Sequence, residues 1–321
     1  MNSEGGFGPP SLYLQSGRQP DAGVGAYLSL TVPVTEFEKA GPSIDIDGFF
    51  PADSMIRRLH RLRVTAISGV RALLMQACDP LAVVGYDRHS KIFNDPKARL
   101  ISTDRNMSRI YFGDEETAER TGLIIRAMHK RVRGKVDEDY GPIAAGTAYS
   151  ADNPELMLWT LATLADSALI YYEKFVGSLT ADEREAYWAD YRQIGLLLGM
   201  PDSSIPATEP ELRDYVQGRL TDGSLYISED IAKRAKAIIF EPPFTGFTKV
   251  AVTPLTEAVK LSSVGLLPPE IRKLYGFSWD PARAILLESL ALQIRIGQRA
   301  WPDQIRMHPY ARVDTAALAA A

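Results

Sequence analysis

Cysteine is almost missing: Cys78 stands alone among 321 residues. A lone thiol excludes an internal disulfide framework and any cysteine-rich zinc or iron–sulfur site. Histidine is scarce as well, with only His60, His89, His129 and His308, so metal chemistry has few nitrogen ligands to draw on. No stretch approaches a charge-free run of about 20 apolar residues, and no membrane insertion is expected. Positive charge is not in excess: the net charge is −4, without the basic stripe that marks a nucleic-acid partner. A nucleotide-binding glycine loop, an HExxH pair and a G-x-S-x-G elbow are all absent, which removes three common enzyme classes. The opening stretch "MNSEGGFGPPSLYLQSGRQPDAG" has neither a positive n-region nor an apolar h-region. It does not read as a secretory signal, and a cytoplasmic location is the expectation.

What is present is ordinary for a globular chain: 45% hydrophobic and 24% charged residues, enough to bury a sizeable core. Residues 1–50 are rich in Gly, Pro and Ser, with one strand-like piece, "AYLSLTVPV". They read as an extended N-terminal arm. From residue 51 to 321 the helical period takes over, strand patterns are nearly absent, and no fixed repeat appears. The fold class expected is all-α, in one domain. "ADSMIRRLHRLRVTAISGVRALLMQAC" predicts a long helix or two abutting ones ending before Asp79-Pro80. "GDEETAERTGLIIRAMHKRVRG" predicts one helix, acidic in its first turn, basic in its last and stopped by Gly134. Asp152 or Asn153 caps the next, with Pro154 in its first turn and Gly177 past its end. Thr180 followed by Glu183 is a capping box. "TEPELRDYVQGRL" and "SEDIAKRAKAIIF" repeat that logic, and further helices are expected near 254–264 and 281–300.

One residue raises a chemical question. In "IIRAMHKRVRG" a helical His129 shares its face with Ile125 and Val132, while Arg126, Lys130 and Arg133 flank it. Two readings stand. His129 is a neutral core histidine bonded to a carbonyl, or it is an axial ligand to a buried metal or haem, with the arginines facing something anionic.

Several stretches then fit one pattern in order: "GVRALLMQACDPLAVVGYDRHS", "DPKARLISTDRNMSRIYFGDEETA", "AMHKRVRG", "YSADNPELMLWTLATLADSAL", "LLLGMP" and "LPPEIRKLYGFSW". From about residue 55 to about residue 310 the chain resembles the family that joins latex-clearing rubber oxygenases to the MpaB-type oxygenase of mycophenolic acid biosynthesis. The resemblance implies a globin-reminiscent helical domain that encloses one haem b, holds its iron through a histidine and activates dioxygen. The family's ligand helix reads roughly "MHxxVRG", which corresponds here to Met128-His129-Lys130-Arg131-Val132-Arg133-Gly134. His129 is therefore the implied iron ligand, and Arg126 and Arg133 are the implied partners of the haem propionates.

On the dioxygen side, rubber oxygenases carry an arginine with a lysine and a threonine close behind. "RLIST" supplies Arg99 and Thr103, but Ser102 stands where the lysine would be. A serine cannot cap the iron as that lysine does, and this departure puts the rubber-type closed state, and rubber as substrate, in doubt. Arg99 offers a fixed cation for negative charge developing on oxygen. His89, in "YDRHS", is a candidate hydrogen-bond donor, acid–base group or sixth ligand, or else a turn histidine. Trp159 and Thr163 share a helical face with Asp166 and are candidates to line the haem, or plain core. His60, His308 and Cys78 read as structural. The function expected is a haem b-dependent oxygenase taking dioxygen and a small hydrophobic substrate, terpenoid or aromatic. It would act by oxygen insertion or oxidative C=C cleavage, with a reductase or other electron donor as a possible partner. Haem-dependent peroxidase or dehydrogenating chemistry, or a non-catalytic haem carrier or sensor, are the alternatives.

Overall fold

The computed structural model describes residues 48–89, 96–240 and 246–311, and for 86–89, 96–101, 238–239 and 246–252 it describes the backbone alone. The expected N-terminal arm lies outside the described residues except for its last three positions. The regular elements of the described chain are α-helices apart from one small hairpin and a single 3-10 turn. In order come α1 (Met55–His60), α2 (Arg63–Ala66), α3 (Ser68–Gln76), α4 (Pro80–His89), α5 (Pro96–Phe112) and α6 (Glu115–His129). Two short strands follow, β1 (Arg133–Lys135) and β2 (Ala148–Ser150). The rest is α7 (Pro154–Phe175), α8 (Ala181–Leu197), α9 (Glu209–Thr221), α10 (Glu229–Phe240), α11 (Gly246–Gly265), α12 (Pro269–Tyr275), α13 (Pro281–Ala300) and α14 (Asp303–Arg306).

The expected boundaries hold where the signal is local. Asn153 caps α7 by accepting from Glu155 N at 2.9 Å, and Pro154 opens the helix. Thr180 and Glu183 close a reciprocal capping box on α8. The long helix or two abutting helices expected over 51–78 are instead three segments. Leu62 turns extended and bridges to Met307, while Arg63 Nε donates to Met307 O at 2.9 Å. A tertiary pairing with the far end of the chain therefore interrupts a run that is helical by pattern.

α7 is the axis of the fold. Leu158, Trp159, Leu161, Ala162, Ala165 and Leu169 are all buried, and they point to more than one side. A helix apolar around its circumference must be covered on every side. α1, α2, α3, α8, α9 and α13 all pack on it, and α3 lies along it most extensively. Ala162, Ala165 and Ala168 keep its surface shallow, so neighbours approach closely.

Polar groups inside this packing are answered in pairs. Arg71 of α3 is 1% exposed. Its guanidinium donates to Asp166 Oδ2 at 2.8 Å, Ser167 Oγ at 2.6 Å and Leu266 O at 2.7 Å. One side chain thus ties α3 to α7 and to the chain just past α11. Arg57, also enclosed, donates to the carbonyls of Tyr111 and Phe112 at 3.1 and 3.5 Å, satisfying the orphan acceptors at the end of α5. His60 stacks on Tyr111 with ring centroids 4.1 Å apart, and its Nε2 bonds Tyr187 Oη at 2.9 Å. His308 meets Asp104 at 3.3 Å and stacks on Tyr310. Both histidines are tied to protein partners, consistent with structural roles.

Two outcomes follow. Arg71→Leu leaves Asp166 without its cation and a carbonyl without its donor, so unfolding free energy should drop by about 3 kcal/mol in denaturant titration. An unchanged midpoint would show the knot to be dispensable. His60 is half-buried as a residue, but enclosure of its ring, with His308 nearby, pushes its pKa down to about 3. Below the ordinary value near 6.5 the unfolded chain takes up a proton that the folded chain refuses. Stability is therefore full above pH 6.5 and declines as pH falls toward 3, by up to about 2 kcal/mol at pH 5. His60→Gln, which keeps a hydrogen-bond partner for Tyr187, should flatten the stability profile between pH 7.5 and 5, while an equally steep decline in the variant would assign it to other groups.

Candidate functional site

The site is built at the open end of a helical hairpin. Asp114 starts α6 by accepting from Thr117 N at 2.7 Å, and the buried face that follows is Ala118, Thr121, Gly122 and Ile125. His129 continues that face one turn beyond Ile125. It is the last residue of the helix, half-buried, with its Nδ1 atom enclosed. The helix does not run on to Gly134 as expected. Arg131 N and Val132 N bond back to Met128 O and His129 O at 3.0 Å, and the chain then enters β1.

The early stop has a tertiary cause. Gly134 pairs across the hairpin with Tyr149, whose ring lies so close that a Cβ on Gly134 would stand 2.6 Å from Tyr149 Oη. Tyr149 is 5% exposed and Val136 3%. Burying these two, and pairing Val132 O with Ala151 N at 2.8 Å, outcompetes one more turn of helix whose side chains are mostly basic. Gly134 therefore serves as the platform for an aromatic ring rather than as a helix stop.

Three other elements reach the same end. α4 lies on this hairpin, since a Cβ on Gly85 would stand 3.7 Å from Val132 and Tyr149, and α4 ends one turn later at His89. α5 packs against α6 in antiparallel fashion. Arg99 and His129 are each about four turns from the connection between those helices, about 21 Å along either axis, so their backbones are level. Thr103 is exposed on α5, one turn nearer the connection. The side chains of His89 and Arg99 lie outside the described residues. Asp104, on the same helix as Thr103, meets His308 at 3.3 Å.

The cations around His129 are arranged unevenly. Arg133 is exposed and folds back so that its Nε donates to Lys130 O at 2.8 Å, capping the carbonyl end of α6 while leaving other N–H groups outward. Arg126 lies over Gly199, its Nε 2.8 Å from where a Cβ would stand, beside the carbonyl end of α8. Gly199 has φ +84°, and a side chain there would be strained as well as in collision with Arg126.

Trp159 and Thr163 sit deeper. Thr163 accepts from Gln76 Nε2 at 3.0 Å and donates to Thr160 O at 3.0 Å, which locks α3 to α7. Trp159 lies under Arg219, whose guanidinium carbon is 5.2 Å from the ring centre, and against the edge of Tyr215. Arg219 in turn pairs with Asp79 at 2.8 Å at the start of α4. Trp159 Nε1 is enclosed without a hydrogen-bond partner among the described residues, as is Tyr215 Oη. Burial pushes the Tyr215 phenol up to about 12, so it stays a donor. Sequence reasoning missed Arg219, Asp79 and Tyr215 here, because they come from separate segments and carry no motif.

The comparisons with known proteins bear on this end of the fold. Two uncharacterised mycobacterial proteins, from Mycobacterium bovis and Mycobacterium tuberculosis, are each 20% identical over 219 residues, covering 68% of this chain and 81% of the relative. No solved structure matches the chain significantly. The family profile described as the ER-bound oxygenase mpaB/B'/rubber oxygenase catalytic domain matches residues 57–296. That span takes in α1 through most of α13 and every candidate side chain above, and the chain belongs to that oxygenase family.

Proposed function

We propose that the protein is a haem b-dependent oxygenase that takes dioxygen and a small hydrophobic substrate, terpenoid or aromatic, and inserts oxygen or cleaves a C=C bond. The observation that carries this reading is His129. It ends α6 on that helix's buried face, where α4 also ends and α5 and the hairpin begin, in a chain whose family is an oxygenase catalytic domain.

The donor chemistry suits a haem. Among the described residues no group of three His, Cys, Asp or Glu side chains gathers closely enough to hold a metal ion unaided. A haem asks less of the chain, since the porphyrin brings four nitrogens and needs one imidazole plus cations for two carboxylates. His129 offers the imidazole, and Arg126 and Arg133 offer the cations. When bound, the haem supplies the dioxygen activation, and the chain supplies position, charge and exclusion of water.

His129 stands one turn beyond the buried Ile125 and directly before the backbone turn through Val132, so its position along the chain is fixed on both sides. Arg133 keeps outward N–H groups after capping Lys130 O. Arg99 would contribute a permanent positive charge, since a guanidinium stays protonated at any working pH. Thr103, one turn further along α5, would donate a hydroxyl proton to a polar group of the substrate. His89, at the end of α4, would take up or release a proton there.

Two measurements decide this reading. Haemin titrated into the apo-protein should give a sharp Soret band at one equivalent, and His129→Ala should fold with unchanged helix content yet give only the broad band of loose haemin. A variant that titrates like the parent would remove His129 from the site. Arg99→Ala should bind haemin normally and lose about a hundredfold to a thousandfold in oxygen uptake with substrate, the usual loss on removing one preorganised charge. If it fails to take up haemin instead, Arg99 belongs to cofactor anchoring.

A further inference from the structure

We propose that the tip of α6 and the hairpin beside it form a docking surface for an anionic lipid bilayer. The buried face of α6 is Ala118, Thr121, Gly122 and Ile125. Away from it the helix presents Leu123 (61% exposed), Ile124 (50%) and, one turn on from Ile124, Met128 (46%). Three large aliphatic side chains within two turns leave an apolar patch that water does not favour.

Cations close the same end. Lys130 and Arg131 follow within one turn of Met128, and both are exposed. Arg133 and Lys135 project together from the exposed face of β1, because Gly134 between them turns to Tyr149. From Arg126 to Lys135 the chain carries five basic residues and no acid. Arg126, Lys130, Arg131 and Lys135 have no carboxylate partner among the described residues, whereas Arg283 and Arg306 elsewhere on the surface pair with Asp280 and Asp303. With Arg126 and Arg133 given to a haem, Lys130, Arg131 and Lys135 remain.

Charge and apolarity together select the occupant. The whole chain carries −4, so an anionic surface attracts it only through a local excess of cations. Here the cations stand beside exposed aliphatic side chains, the combination that settles at headgroup level, with the aliphatic groups at the acyl boundary and the cations among the phosphates. A nucleic acid would meet the cations but not Leu123, Ile124 and Met128, and α6 offers no aromatic ring to stack on a base. The acids of α6 lie toward its other end, Glu119 being the nearest at about 13 Å back along the axis from Met128. Beyond β1 the five cations outnumber Asp137, Glu138 and Asp139, and Asp139 is held within its loop by Ala145 N at 2.8 Å. No described helix is long and apolar enough to cross a membrane, and the contact is a peripheral one. It would set the His129 end of the fold against the bilayer, where a hydrophobic substrate dissolves. In that respect the inference rests on the oxygenase reading, but the docking itself needs neither haem nor turnover, so the two can fail separately.

Flotation of the full chain with vesicles, without added haem, is the test. The chain should float with phosphatidylcholine vesicles containing about 30% phosphatidylserine and stay behind with phosphatidylcholine alone. It should be released as salt rises from about 0.1 to 0.5 M. Lys130→Gln combined with Arg131→Gln should weaken partitioning about 25-fold, about fivefold for each charge, with unchanged helix content and melting temperature. Lys260→Gln combined with Arg283→Gln removes the same charge from α11 and α13 and should bind as the parent does. Ile124→Cys carrying an environment-sensitive dye should shift its emission to the blue on the vesicles, whereas Asp182→Cys on exposed α8 should not. Cys78 is fully buried and stays out of the labelling. A parent that fails to float, including one that binds heparin instead, overturns the proposal. So does equal binding to the uncharged vesicles, binding that survives the loss of Lys130 and Arg131, or a dye at position 124 that stays in water.

Discussion

Enclosing α7 is the constraint on which the rest depends. A helix that is apolar on every side has no stable place except inside others, so six neighbours are recruited around it. That enclosure forces a second condition. A polar group carried inward costs a few kcal/mol if it finds no partner, so most are paired. Arg71 meets the condition for three elements at once, through Asp166, Ser167 and the carbonyl of Leu266. Gln76 and Thr163 meet it one turn away. The scaffold is thus fixed by apolar area and pinned in register by a few hydrogen bonds.

The candidate site lies where that scaffold gives out. α4 and α6 end, and α5 begins, around a hairpin held by Gly134 and Tyr149. At the end of α6, Arg133 caps Lys130 O and keeps the last turn closed beside His129. The candidate site therefore draws on the ends of elements, while the midsections of the same helices are spent on packing.

Legibility in the sequence follows the range of the interaction. Helix starts such as Asn153-Pro154 and Thr180 with Glu183 are settled within four residues, and they read correctly. His60 and His308 also read correctly as structural, since neither sits in a motif and each proves to be held by an aromatic or acidic neighbour. The hairpin does not read at all. Its stability comes from Tyr149 covering Gly134, a pairing across an intervening loop, whereas the local pattern of "HKRVRG" favours more helix. Arg71 is equally silent, because its partners lie 95 to 195 residues away. For the site, the family was legible, whereas the level of Arg99 with His129 came only from the packing of α5 on α6. The cluster of Trp159, Tyr215, Arg219 and Asp79 was not, for it has partners but no spacing.

The central claim is that His129 supplies the nitrogen that holds a haem, and cavity complementation tests it most directly. His129→Gly removes the imidazole and leaves the rest of α6 in place. Haemin affinity of this variant, read from the Soret band with and without free imidazole, should be lost and then restored as imidazole fills the vacated position. A His129→Gly protein that binds haemin as the parent does, or one whose loss imidazole cannot repair, would contradict the account.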